Sequence, residues 1–198
     1  MKMSRLQRIY VNSPLHSEIK TDHVEQVLAQ SELEQVRKVL EIGCGSGVTA
    51  AALNSRFNMD VVGVDVDPVQ IKLAMKRRGS NERLRFIEAD ATALPFDDGE
   101  FDLVVSLMVL HHILDWPQVI SEAARVLKPA GIYILYDLLY GRLPRKLARP
   151  ILRSHGFFSK EEIVDQSERQ GLRVMRELEP IKYYMKQFTR FTLAFRKD

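Results

Sequence analysis

The stretch Lys38-Val39-Leu40-Glu41-Ile42-Gly43-Cys44-Gly45-Ser46-Gly47 constrains this chain more than any other. An apolar, β-branched-rich run stops at alternating glycines, and a helical pattern, Val48–Leu53, follows directly. β-branched residues suit strands, and glycine supplies the left-handed backbone of a tight strand-to-helix turn. Twenty residues after Gly45 a second apolar run, Asp60–Asp65, ends in an acid. Strand, glycine turn, helix, strand and terminal acid in this order open a doubly wound sheet, whose ligands sit outside the carboxyl ends of the strands. The helix N-terminus favours a negative group, and the strand-end carboxylate can accept hydrogen bonds from ribose hydroxyls.

The same alternation continues. Asp67 is placed to cap a helix with Pro68 at its first position and Gly79 at its close. Leu84–Ile87 and Phe101–Leu107 read as the third and fourth strands. A helix from about Pro117 to Leu127 precedes the turn Lys128-Pro129-Ala130-Gly131 and a fifth strand, Gly131–Tyr136. Ser159-Lys160-Glu161-Glu162 is a capping box opening a helix that ends near Gly171. The apolar runs Leu172–Leu178 and Phe191–Phe195 can complete the sheet with an antiparallel pair at one edge. The expected fold is therefore α/β and Rossmann-like: a doubly wound, mostly parallel, seven-stranded sheet with helices on both faces. Residues 1–36 read as a helical lead-in or lid. There Thr21 or Asp22 caps a helix to about Leu33 with Val24, Val27 and Leu28 on one face. Residues 37–198 form the ligand-binding domain, and the whole is one domain.

Two ligand classes use such a turn. Gly45-Ser46-Gly47-Val48-Thr49-Ala50 fits the dinucleotide pattern G-x-G-x-x-A, which leaves NAD formally open. Glu41 argues against it, because a carboxylate beside the turn repels a pyrophosphate. S-adenosylmethionine (SAM) brings an ammonium, a carboxylate and a sulfonium. Glu41 can attract its cationic end while the amides of the turn face its carboxylate.

The motifs carry a resemblance. Val39–Gly47 resembles the first motif of class I SAM-dependent methyltransferases, an acid followed by G-x-G-x-G. Val61-Val62-Gly63-Val64-Asp65 is similar to their second-strand motif, and Glu88-Ala89-Asp90-Ala91 to the third. Leu94–Val104 resembles the stretch entering the fourth strand, and Arg125–Gly131 the turn before the fifth. The flavour is that of the ubiquinone and menaquinone biosynthesis methyltransferases, and the match spans Arg37 to Asp137. The resemblance implies SAM as cofactor. It places Glu41, Gly43, Cys44, Gly45 and Gly47 at the methionine end, with Cys44 contributing backbone rather than thiol chemistry. Asp65, Val66, Asp67 and Gln70 fall near the ribose or adenine. Asp90 would meet the adenine amino group, Ala91 the ring edge, and Ser106 and Leu107 the methionine part.

Composition narrows the rest. The 198 residues are 45% hydrophobic and 28% charged, and the single cysteine, Cys44, allows neither an internal disulfide nor a Cys-rich zinc site; no metal site is expected. No apolar run is long enough to span a bilayer, and the charged start lacks a secretory signal, so the expectation is cytoplasmic. The net charge of +3 is uneven: acids exceed bases by four through Asp137, and bases exceed acids by seven after it. The basic segment Arg142, Arg145, Lys146, Arg149 and Arg153 can meet an anionic or membrane-associated substrate, or be a plain surface helix.

His111 and His112 follow the fourth strand and are the candidate general bases; alternatively they line the pocket or pack. Tyr10, His16, Tyr136 and Asp137 can reach the same region, and nothing in the sequence ranks them. Trp116 and Tyr183-Tyr184 read as packing residues. The expected activity is methyl transfer to an O, N or C atom of a small molecule. Alternatives are a tRNA-modifying enzyme, with no RNA-binding domain visible, and a non-catalytic methyltransferase-like partner subunit. Ser106-Leu107-Met108-Val109 lacks the Asn/Asp-Pro-Pro-aromatic motif of enzymes that methylate exocyclic or amide nitrogens, and a thiol-based arsenite methyltransferase would need more cysteines. Neither the acceptor nor the oligomeric state is encoded in a motif.

Overall fold

A computed structural model describes residues 24, 26, 27, 36–77, 82–140, 156–182 and 188–198. In chain order these form β1 (Lys38–Ile42), α1 (Val48–Phe57), β2 (Asp60–Asp65), α2 (Pro68–Arg77), β3 (Leu84–Glu88), β4 (Phe101–Leu107), a 3-10 turn (Leu110–His112), α3 (Trp116–Val126), β5 (Leu127–Tyr140), α4 (Lys160–Arg169), β6 (Leu172–Lys182) and β7 (Phe188–Lys197).

The strands make one sheet in the order β3-β2-β1-β4-β5-β7-β6. β1 to β5 are parallel neighbours, and β7 runs antiparallel to both β5 and β6. The order reverses between β1 and β4, which puts the ligand crevice of such a sheet there. Strand alternation sends Val39, Val61, Val105 and Ile134 to the face covered by α1 and α2, where Val24 and Val27 are also buried. Leu40, Val62, Val104 and Leu135 face α3 and α4. Both faces are apolar because both are covered.

Several boundaries differ from the sequence reading. β5 starts at Leu127, not Gly131, and runs to Tyr140. The expected turn is a bulge inside this strand: Phe101 pairs with Leu127 and Leu103 with Ile132, while Ala130 takes φ +61°. Ladder pairing on both sides absorbs the turn residues. α1 runs on to Phe57 and stops at Asn58, whose φ is +54°. α3 lies one residue earlier at each end than expected. The Asp67 cap forms, with Oδ1 accepting from Val69 N–H at 3.0 Å; Gly79 lies outside the described residues. The Ser159 capping box is complete, with Glu162 N–H on Ser159 Oγ at 3.2 Å and Ser159 N–H on Glu162 Oε2 at 2.7 Å.

The crossover from β3 to β4 contains no helix. Arg125 of α3 holds this loop, donating to Leu94 O (3.0 Å) and Phe96 O (2.8 Å) and pairing with Asp98 and Glu122. Among the described residues no helix is long and apolar enough to cross a membrane.

Candidate cofactor and acceptor site

The turn after β1 is built as the glycines require. Gly43, Gly45 and Gly47 all have positive φ, at +69°, +54° and +75°. Two of them also lack room for a side chain. A Cβ on Gly43 would lie 2.4 Å from Val109 Cγ2, and one on Gly47 2.6 Å from Phe86 Cζ. Hence the turn is pressed against both β3 and the segment after β4. No side chain caps the first turn of α1, which leaves its amide end to face a ligand.

Asp65 reaches under this turn. Its Oδ2 accepts Gly45 N–H and its Oδ1 accepts Asp67 N–H, both at 2.9 Å. Cys44 N–H donates to Val64 O at 2.9 Å, tying the two strand ends together. Glu41, Cys44, Asp65, Asp67 and Gln70 are all buried around the same two strand ends, while Val66 is half exposed.

Ala89 N–H donates to Asp65 O at 3.1 Å, which brings Asp90 and Ala91 alongside. Asp90 is exposed, and its Oδ1 accepts the Thr92 amide (2.9 Å) and hydroxyl (2.8 Å). These Thr92 bonds hold its carboxyl below the ordinary range, so it stands as an exposed, ionised acceptor in the loop after β3. Ser106 and Leu107 close β4 and are buried.

The segment that follows β4 was less legible in the sequence than the glycine turn. Met108 has φ +64° and donates its N–H to Tyr136 O at 2.6 Å, turning the chain into the 3-10 turn. His111 Nδ1 lies 2.5 Å from Asp137 Oδ1, the imidazole nearly buried and the carboxylate fully so. The same carboxylate accepts Val109, Leu110 and Leu138 N–H at 3.1, 2.8 and 2.7 Å. Burial alone would push the Asp137 carboxyl up, but His111 and these amides hold it below its usual value. His112 is half-buried, its ring centroid 3.9 Å from that of His111. Tyr136 is buried and its hydroxyl accepts from Arg190 at 3.1 Å. Trp116 packs edge-on against Phe158, as its packing assignment required. Tyr10, His16, residues 142–153 and Tyr183-Tyr184 lie outside the described residues.

Sequence reasoning named Asp137 without ranking it and missed the Arg125 clamp. The available signal was positional: Asp137, like Asp65, ends an apolar strand run. Its partner lies 26 residues away, and no spacing rule links the two.

A mixed, mostly parallel sheet with its switch point under a glycine turn, and a strand-end acid beneath that turn, defines a doubly wound fold. Residues 40–135 match the family described as a methyltransferase domain. Tocopherol O-methyltransferase of Arabidopsis thaliana is 32% identical over 61% of this chain and 37% of its own length. The 27-O-demethylrifamycin SV methyltransferase of Amycolatopsis mediterranei is 38% identical over 52% of this chain and 39% of that protein. The chain thus spans about two fifths of the curated relatives named here. Among solved structures, the PH0226 protein of Pyrococcus horikoshii aligns over 100% of both chains with TM-score 0.77 and 21% identity. Geranyl diphosphate methyltransferase, solved with geranyl diphosphate and sinefungin, aligns over 93% of this chain and 77% of its own with TM-score 0.74 and 16% identity. Residues 40–135 are thus similar to a methyltransferase domain, and the solved structures share the fold of the whole chain.

The methyltransferase match implies SAM as cofactor, and the chemistry of the residues present is compatible with it. The uncapped helix end could receive a carboxylate, and the buried Glu41 and Asp65 could supply negative charge for an ammonium and ribose hydroxyls.

Proposed function

We propose that this chain transfers a methyl group from SAM to a small-molecule acceptor bound over the carboxyl ends of β4 and β5. The observation that carries this reading is the strand-end carboxylate of Asp65, held beneath the glycine turn by the Gly45 and Asp67 amides. The amides opening α1 would receive the cofactor carboxylate, Glu41 its ammonium, and Asp65 the ribose. Gln70, Val66, Asp90 and Ala91 would line the nucleoside, and Ser106 and Leu107 the methionine chain. Bound there, SAM supplies an electrophilic methyl on a sulfonium that leaves as a neutral thioether. The protein's task is then to align acceptor and methyl and to exclude water, which is worth several kcal/mol of barrier. His111 and His112 are the candidate bases for an acceptor that must lose a proton.

The chemistry of the named relatives, a tocopherol and a rifamycin precursor, favours a small organic acceptor. An anionic or membrane-associated acceptor would suit the basic excess after Asp137. The test is incubation of the purified protein with methyl-labelled SAM and a fractionated lysate. Label is expected in a small-molecule fraction. Label in RNA would redirect the reading to a tRNA-modifying enzyme, and label nowhere to a non-catalytic partner subunit. Calorimetry comparing S-adenosylhomocysteine with NAD checks the cofactor independently, and preference for NAD would overturn it.

A further inference from the structure

We propose that Asp137 is a positioning residue that fixes His111 with its proton on Nδ1, making Nε2 the proton acceptor for a substrate that attacks through an O–H or N–H group. This rests on the methyltransferase reading above and adds the substrate class and the identity of the base.

The argument begins with hydrogen-bond inventory. Both oxygens of Asp137 are occupied by donors: Oδ2 by the Val109 and Leu110 amides, Oδ1 by the Leu138 amide and His111 Nδ1. Three backbone N–H groups converging on a fully buried carboxyl keep it ionised and acceptor-only. An acceptor-only partner at 2.5 Å from Nδ1 requires the proton to sit on that nitrogen. In the neutral imidazole the one remaining lone pair is then on Nε2. The titratable groups facing the pair among the described residues are His112, its ring tilted at 46° to that of His111, and the buried Tyr133 phenol, whose pKa is pushed far up by burial. The segment packed from the α4 side contributes Gly156, whose N–H donates to His111 O at 3.1 Å.

The location matches the chemistry. Val109, two residues before His111, is the side chain that blocks a Cβ at Gly43, so the histidine turn abuts the cofactor turn. In the step inferred, the lone pair of the acceptor oxygen or nitrogen forms the bond to the methyl carbon. The carbon–sulfur bond breaks with its electron pair passing to sulfur, and the acceptor proton goes to Nε2. The resulting imidazolium is neutralised by the Asp137 carboxylate. A clasp that only joined β4 to β5 would need the backbone bonds to Asp137 but not a histidine.

The test uses the full chain, uniformly 15N-labelled, with and without S-adenosylhomocysteine. Long-range 1H–15N spectra are expected to show His111, assigned by its loss in H111Q, with Nδ1 protonated and Nε2 bare. D137N, which places an amide donor among donors, is expected to abolish that tautomer preference. With the acceptors that take label in the lysate fractions, H111Q and D137N should each lower kcat by about 100-fold or more. KM and S-adenosylhomocysteine affinity should stay within about twofold, and the double variant should be no slower than the worse single one. A proton on Nε2, an H111Q variant at full rate, or labelled acceptors that all attack through a lone pair bearing no hydrogen would overturn the inference while leaving the methyltransferase reading intact. Failure of the wild-type protein to bind S-adenosylhomocysteine, or binding without any labelled product, would remove that reading and this inference together.

Discussion

Alanine at Gly43 probes the contact on which the site depends. The residue sits at φ +69°, where an L side chain costs about 1–2 kcal/mol. Its Cβ would also meet Val109 Cγ2 at 2.4 Å and Cγ1 at 2.8 Å. Overpacking of that kind costs about 1–3 kcal/mol. G43A is therefore expected to lower unfolding free energy by about 2–5 kcal/mol. The two contributions can be separated. V109A removes both clashing methyls and alone costs about 1 kcal/mol, since Val109 is only partly buried. The double variant should recover the overpacking share but not the backbone strain, giving a favourable coupling of about 1–3 kcal/mol. Urea unfolding of the four proteins measures that coupling, and calorimetry with S-adenosylhomocysteine follows the site. G43A should bind at least tenfold more weakly, and G43A/V109A should regain part of the loss. Additivity within about 0.5 kcal/mol would show that the cofactor turn and the histidine turn do not press on each other.

Three further outcomes follow from particular contacts. D65A should weaken S-adenosylhomocysteine binding tenfold or more, on the order of 1–2 kcal/mol for a lost charged hydrogen bond; unchanged affinity by calorimetry would mean the ribose lies elsewhere. S159A should cost about 1 kcal/mol in urea unfolding through loss of the α4 capping box and leave cofactor affinity unchanged. Burial would raise the Asp102 carboxyl, but Lys128, at 2.7 Å, and the Lys38 and Arg37 amides hold it below its ordinary value. Its folded-state pKa is thus depressed. Its stabilisation is present above the unfolded-state value and lost as pH falls through the folded one. D102N should therefore be clearly destabilised at pH 7 and close to wild type near pH 2, as read by thermal unfolding.

The sequence by itself determined the local units. Period-two and helical apolar patterns, the Asp67 and Ser159 caps and the alternating glycines each act over a few residues, so β1 through β4 and the glycine turn between β1 and α1 were legible. Asp65 was readable as a strand-end acid because it closes its own apolar run. Only the tertiary structure decided which distant groups meet. Ladder pairing with β4 drew the Lys128–Gly131 turn into β5 as a bulge, overriding its local turn chemistry. The helix-free β3–β4 crossover is held by Arg125, about 30 residues further along the chain. The Asp137–His111 pair exists because β4 and β5 lie side by side in the sheet, bringing together residues 26 apart. Propensity acts through neighbours along the chain, whereas the ionisation of a buried carboxylate depends on donors that only the packed sheet can bring to it.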